Sequence, residues 1–467
     1  MSEFDAAQIA ARLDRLPSSR TVWSIIILIS LGGVFEFYDL FFTGYVAPGM
    51  LKSGLFTAES LGFFATLGGI KVAGFGTFVF CTFAGLWVGV LLFGHLADRY
   101  GRRPVFTWSL VWYAICTGIM AFQRSGEMLN VWRFIAGVGF AVQLVTIDTY
   151  ISELIPRAER GRAFSINQFI TFCAVPIVAL FAWLLVPLSP LGLSGWRWVV
   201  LIGSCGAGIV WFLIRRIPES PRWLALHGHI KEAEAVVRGI ESRVEAETGR
   251  PLPAPKRIEA VPDDRAARFI EIFLPRYRSR TIMLSIFNMA QVIGFYGFAA
   301  WVPTLLIARG VTLTHSLEYS FIIAIANPFG PLLGTLFADR IERKQQIMAG
   351  LVIMGLAMLG FANVRSPVAL VTLGVVFTLA ANVMSYAYHS YQAEMFPTRI
   401  RARAVGFVYS WSRIAAAFAG LAIGYFLNAG GTLAVAVFIA IAMAVGIIVI
   451  GVFGPATKGV ALEQISR

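Results

Sequence analysis

Asp98-Arg99-Tyr100-Gly101-Arg102-Arg103 is a short basic turn set between apolar runs at about 73–96 and 105–123. The same kind of turn returns as Asp339-Arg340-Ile341-Glu342-Arg343-Lys344. A second signature, Glu153-x-x-Pro156-x-x-x-Arg160-x-Arg162, returns as Glu394-x-x-Pro397-x-x-x-Arg401-x-Arg403. Each of these pairs is offset by 241 residues. A constant offset over separated positions implies two homologous halves.

The composition says what those halves are made of. The chain has 467 residues, of which 57% are hydrophobic and 14% charged. A soluble protein carries about 25% charged residues, so much of this chain must face lipid rather than water. Soluble enzymes, disordered chains and coiled coils are excluded. Apolar runs long enough to span a bilayer fall at about 22–45, 73–96, 105–123, 128–151, 163–187 and 197–214, then 281–306, 317–338, 346–363, 367–391, 404–428 and 432–453. The first run is too long for a signal-peptide core and reads as a retained span. The expected fold is an all-α membrane protein of twelve transmembrane helices in two pseudo-symmetric six-helix halves. The segments are a cytoplasmic tail (1–21), an N-terminal half (22–214), a cytoplasmic linker with amphipathic helices (215–280), a C-terminal half (281–453) and a cytoplasmic tail (454–467). Within the linker, Lys231–Glu247 reads as a charged amphipathic helix packed under the bundle or lying on the membrane surface.

The net charge of +13 fits this topology. With both termini in the cytoplasm, 31 of the 39 Lys+Arg fall on that side, 6 on the other, and Arg133 and Arg413 within spans. That is the positive-inside bias, and it replaces the nucleic-acid reading of a basic chain. The four cysteines lie in apolar runs at no metal-ligand spacing and read as small hydrophobes.

These motifs resemble the major facilitator superfamily over essentially the whole chain. Gly94-x-Leu96-Ala97-Asp98-Arg99-x-Gly101-Arg102-Arg103 is similar to its loop 2–3 signature, and Arg133-x-x-x-Gly137-x-Gly139 to its span 4 signature. Pro218-Glu219-Ser220-Pro221-Arg222-Trp223-Leu224 resembles the motif after span 6 in sugar porters and organic-ion transporters, and Glu36-Phe37-Tyr38-Asp39 with Gly44 the span 1 pattern of metabolite:proton symporters. The resemblance implies that Asp98, Arg102, Glu153, Arg162, Asp339, Arg343, Glu394 and Arg403 form a cytoplasmic gate of inter-helix salt bridges that break as that side opens. It also implies sugar-contacting amides, and here the sequence departs. Gln168 and Gln291 match, but Val175, Tyr296 and His389 stand where sugar porters carry glutamine, asparagine and tryptophan. Gln143 stands where metabolite:proton symporters carry a glutamate.

Ionised side chains at a bilayer centre cost at least ~2.5–3.5 kcal/mol on insertion scales, so they mark function. Glu36, Asp39 and Asp148, with Arg133, are the proton-coupling candidates. Asp39 is either a proton carrier released from Arg133 or half of a static pair. Glu36 lies three residues away on roughly the same helical face. Arg413 is the candidate grip for an anionic substrate, or the partner of an internal acid. Gln143, Gln168, Gln291, Tyr296, His389, Tyr45, Tyr388 and Trp411 complete the expected substrate site, the aromatics as stacking surfaces or as ordinary packing.

The expected function is proton-coupled symport of a small organic acid or related metabolite by alternating access. The partners are substrate, protons and lipid bilayer, with no nucleic acid, no cofactor and no metal, in a monomer of the inner membrane. Alternatives are a sugar or polyol symporter, a drug/proton antiporter, which Arg413 opposes, and a non-transporting nutrient sensor, which the short C-terminal tail opposes.

Overall fold

A computed structural model describes residues 2–67, 70–71, 74–93, 95–156, 159–215, 217–255, 269–337 and 340–457. The apolar runs become helices α2 (Arg20–Lys52), α4 (Gly76–Phe93), α6 (Arg102–Ala121), α7 (Gly126–Leu154), α8 and α9 (Arg160–Phe172, Ala174–Leu185), and α10 (Gly195–Ile214). After the linker come α13 and α14 (Pro275–Ala299, Val302–Ala308), α15 and α16 (Leu313–Ala324, Phe329–Phe337), α17 (Arg343–Asn363), α18 (Pro367–Glu394) and α19 (Thr398–Phe453). Among the described residues ten helical stretches are long and apolar enough to cross a membrane. The last of them, α19, bends at Gly430–Gly431 and holds two spans. The short pair α15 and α16 supplies the remaining one, broken before Pro328, whose missing N–H cannot continue a helix. The twelve spans expected from the sequence are therefore present in a multi-pass membrane protein. Among the described residues the one sheet is a two-residue antiparallel ladder, Thr66–Leu67 with Ile70–Lys71.

The first 21 residues are more than a polar tail. Ser2–Asp14 forms α1, which buries Ile9 and Leu13 against Val237, Ile240 and Val244 of α12 (Ile230–Thr248). That helix realises the amphipathic Lys231–Glu247 stretch and packs under the bundle. Glu241 accepts Arg12 Nε at 3.1 Å and Arg15 Nη2 at 2.6 Å. Burial alone would push its carboxyl up, but the two guanidinium groups outweigh it and hold it below its ordinary value.

The first six spans touch the last six mainly at the bundle end remote from the basic turns. There Phe75 meets Trp301, Trp183 stacks on Phe321 and Phe80 meets Phe418, with ring centroids 5.5, 5.7 and 5.6 Å apart. Gly44 makes a close backbone approach: a Cβ there would stand 2.7 Å from the Ala300 carbonyl oxygen. At the other end, which carries the basic turns, Asp98, Asp148, Arg162, His389 and Arg403 are exposed. The gap between the halves thus opens toward the basic turns and closes at the far end.

This geometry makes Gly44 a closure point. We expect Gly44→Val to wedge α2 from the Ala300 backbone and shift the population toward opening at the far end. Thiol labelling of single cysteines placed beside Phe75 and Trp183 should accelerate severalfold; unchanged labelling would show that this contact does not hold the closed end.

Candidate functional site

A buried, fully hydrogen-bonded polar cluster lies where α2, α4 and α7 cross. Gly137 sits where a Cβ would stand 2.8 Å from the Thr82 carbonyl oxygen, so α4 and α7 approach as only small residues allow. That approach brings Thr82 to Arg133. Arg133 Nε donates to Thr82 Oγ1 at 2.8 Å, Nη1 to both Asp39 carboxylate oxygens at 2.8 and 2.7 Å, and Nη2 to the Asp39 carbonyl at 3.0 Å and Thr43 Oγ1 at 2.8 Å. Phe42 and Phe78 cover the guanidinium at 4.8 and 5.4 Å. A guanidinium has five N–H donors, and these contacts occupy all of them. Arg133 is fully buried and Asp39 nearly so.

A second cluster faces it from the C-terminal half. Arg413, on α19, is 3% exposed. Its Nη2 donates to Tyr409 Oη at 3.1 Å, its Nη1 to Tyr296 Oη at 3.4 Å, and it lies 4.9 Å over the Tyr409 ring. No acid pairs with it among the described residues. His389 meets Tyr409 edge-on at 5.7 Å and Tyr388 at 4.2 Å. Tyr388 Oη and Trp411 Nε1 are buried without a partner. Tyr296 carries the cluster across the interface to Phe83 of α4, 4.8 Å away. The result is a buried cation walled by the rings of Tyr296, Tyr388, Tyr409 and His389, with the Tyr388 hydroxyl spare; Trp411, two residues before Arg413 and so on another face of α19, meets Phe407 at 6.2 Å instead.

The remaining expected residues divide. Gln143 is buried and donates to the Gly32 carbonyl at 3.0 Å, a bond between α7 and α2 that occupies its amide nitrogen. Gln168 is half-buried on α8, and Gln291 is buried on α13. Tyr45 lines a small pocket with Phe41, Phe295, Thr378, Asn327 and Asn382. The two asparagines, and Tyr409, escaped the sequence reading. Asn382 Nδ2 donates to Asn327 Oδ1 at 3.2 Å, and Asn327 Nδ2 to the Ala324 carbonyl at 3.1 Å beside the α15–α16 break. Asparagine just before a proline inside an apolar run was the available signal, because a broken span needs side chains to satisfy its freed backbone groups.

The gate residues pair within their own halves. Arg102 contacts Glu153 and Asp98, each at 2.8 Å, and Arg343 contacts Glu394 at 2.8 Å. Arg162 lies near Glu159 at 3.8 Å, and Arg403 is exposed. Asp339 lies outside the described residues. Glu219, from the Pro218–Leu224 motif, accepts from the backbone N–H of Arg102 at 3.0 Å and Arg103 at 3.2 Å, capping α6. Gly101 enters that helix at φ 99° and a Cβ there would strike the Glu219 carboxylate, so both loop motifs are one structural joint. Burial pushes the Glu219 carboxyl up, against the backbone donors of Ser220, Arg103 and Arg102 that favour its charge.

Comparison with known proteins follows the same lines. The family model described as sugar (and other) transporter matches residues 25–467. A Bacillus subtilis (strain 168) chain named for metabolite transport, YyaJ, is 30% identical over 96% of this chain and 96% of its own length. The niacin transporter NiaP of Acinetobacter baylyi is 25% identical over 98% of this chain and 99% of its own. The xylose transporter XylE of E. coli, in a partially occluded inward open conformation, superposes with a TM-score of 0.74 and 21% identity over 95% of this chain and all of its own, a likeness of fold.

The Arg133 cluster predicts its own sensitivity. Thr43→Val removes one acceptor and strands an N–H of a buried guanidinium, which costs about 1–3 kcal/mol. The variant should melt at lower temperature in detergent than wild type; an unchanged melting temperature would mean that the cluster does not hold α2 to α7.

Proposed function

The chain belongs to the sugar (and other) transporter family, within the major facilitator superfamily, and on that footing we propose that it carries a small organic monocarboxylate with a flat ring, in symport with protons. One observation carries this reading: Arg413 is buried, is held only by two tyrosine hydroxyls, and lacks an acid among the described residues. A buried charge without a counter-ion is strongly unfavourable, so a site of this kind fits a substrate that brings the anion. A guanidinium takes a carboxylate bidentately. Tyr296, Tyr388, Tyr409 and His389 offer faces and edges for a ring, and Tyr388 Oη is a spare donor. A relative named for niacin, a pyridine carboxylate, supports the same class.

The coupling set is Glu36, Asp39 and Asp148 with Arg133. The first six spans rock against the last six around the site, and the gate residues Asp98, Arg102, Glu153, Arg162, Asp339, Arg343, Glu394 and Arg403 alternate between closed and open arrangements. In the form open toward the basic turns, Arg102–Glu153 and Arg343–Glu394 are paired within each half. Cytoplasmic termini and inner-membrane residence belong to this proposal, supported by the distribution of basic residues.

A sugar or polyol is the second reading, favoured by the amides of Gln168, Gln291, Asn327 and Asn382. Against it, Val175 is fully buried and Tyr296 is engaged with Arg413. Each sugar hydroxyl left unpaired costs about 1–3 kcal/mol.

Proteoliposomes with an imposed inward proton gradient decide between the two. Uptake of nicotinate or benzoate, with xylose and organic cations as comparators, is the expected result. Arg413→Gln should raise the carboxylate KM at least tenfold, equivalent to about 1.4 kcal/mol. Carboxylate uptake unchanged by that substitution, or uptake of xylose alone, would overturn the assignment.

A further inference from the structure

Pro275 opens α13, and the short 3-10 helix before it, Phe269–Phe273, folds back along the bundle. Thr281 Oγ1, about 9 Å along α13 from Pro275, donates to the Ile272 carbonyl at 2.7 Å. Ile272 is fully buried and docks the segment, and the rings of Phe269 and Phe273 meet Phe407 of α19 at 5.7 and 5.3 Å. Phe407 shares one stripe of α19 with Phe418 and Tyr425, because spacings of eleven and eighteen residues are close to whole turns. Phe418 and Tyr425 are 60% and 65% exposed toward the closed end, where only the outer surface is open. The stripe therefore faces lipid, and the folded-back segment lies on its basic-turn end. Phe407 sits just inside the apolar run that begins at about 404, so the rings stacked on it stand at the edge of the hydrocarbon. The outer face of the segment is apolar: Phe269, Ile270, Phe273 and Leu274 stay exposed, Ile270 at 65%. Arginines frame it. Arg276 and Arg278 are exposed at the start of α13, and exposed Arg403 stands one turn before Phe407 at the head of the stripe. No acid pairs with these three among the described residues. Glu271 is the one acid between Phe269 and Arg280.

We propose that this segment is an interfacial hook that binds anionic phospholipid in the leaflet on the basic-turn side. Phe269, Ile270, Phe273 and Leu274 enter between the acyl chains, and Arg276, Arg278 and Arg403 hold headgroup phosphates. A contiguous apolar face is a binding surface when water is the alternative, and at the boundary of a bilayer it is buried among lipid tails. Arginine suits the rim of such a face: its stem lies along apolar groups while the guanidinium reaches outward and takes a phosphate bidentately. A zwitterionic headgroup brings its own cation beside the phosphate, whereas an anionic one leaves the negative charge to the protein, so three unpaired arginines select the anionic lipid. The hook is fixed to α13 through Thr281 and to α19 through Phe407. These are the helices that carry Tyr296 and Arg413, so the lipid holds the two walls of the site to the leaflet together. The proposal is independent of which substrate is carried.

The test uses the whole chain with a fluorophore on Ile270→Cys, in bilayers of phosphatidylcholine and phosphatidylglycerol in equal parts. Cys173 and Cys205, the cysteines that are not buried, are replaced by serine. A nitroxide on the acyl chain of one lipid or the other is the quencher. Both lipids should quench, phosphatidylglycerol at least about twofold more strongly. Arg276→Gln with Arg278→Gln should remove that excess, and Arg276→Lys with Arg278→Lys should keep it. Free glycerol phosphate should leave the quenching unchanged. No quenching by either lipid would show that the hook stays out of the bilayer and would overturn the proposal. Equal quenching by the two lipids, or an excess that survives the glutamine pair, would overturn it as well. Displacement by glycerol phosphate would make the arginines a site for soluble phosphate and have the same consequence. Should the glutamine pair fail to fold, raised salt on the parent protein takes its place: the excess should fall, and an unchanged excess overturns the proposal.

Discussion

Buried charge is the constraint that organises this molecule. A bilayer core offers no water to a carboxylate or a guanidinium, so each one must find a partner, a cavity or a use. Arg133 has found partners in full: five donors, five acceptors, and two phenylalanine rings across the guanidinium. The glycine at 137 exists for that arrangement, because only a small residue lets α7 come close enough to α4 for Thr82 to serve Arg133. Arg413 has found only tyrosine hydroxyls. The contrast between two arginines in one membrane bundle separates a structural charge from one left over for a ligand.

The same constraint bears on the two acids of the first span. Glu36 and Asp39 share a helical face, so residue spacing makes them equivalent. The packing does not. Asp39 is turned into the α4–α7 crossing against Arg133, whereas Glu36, one turn earlier, is buried with no hydrogen bond or ion pair to a described residue.

Most of the architecture was legible in the sequence, because a membrane span announces itself by length and apolarity alone. The offset of 241 between Asp98 and Asp339 supplied the two-half organisation. What escaped depends on three-dimensional contact. The N-terminal residues read as a polar tail because Ile9 and Leu13 are only two apolar side chains; their face becomes meaningful once α12 lies beneath it. Asn327 and Asn382 are 55 residues apart, and only the break between α15 and α16 turns one toward the other. Tyr409 is one aromatic among many in the sequence, yet it sits one turn before Arg413 and makes its shorter hydrogen bond. The loop motifs also meet in a way that spacing does not show: Glu219 caps α6 at Arg102 and Arg103.

Carboxylate binding at Arg413 tests the account most directly. Titration calorimetry of the purified protein with nicotinate or benzoate compares wild type with Arg413→Gln. The buried arginine held by tyrosine hydroxyls predicts binding by wild type and at least tenfold weaker binding by the variant, about 1.4 kcal/mol. Equal binding by the two would contradict it.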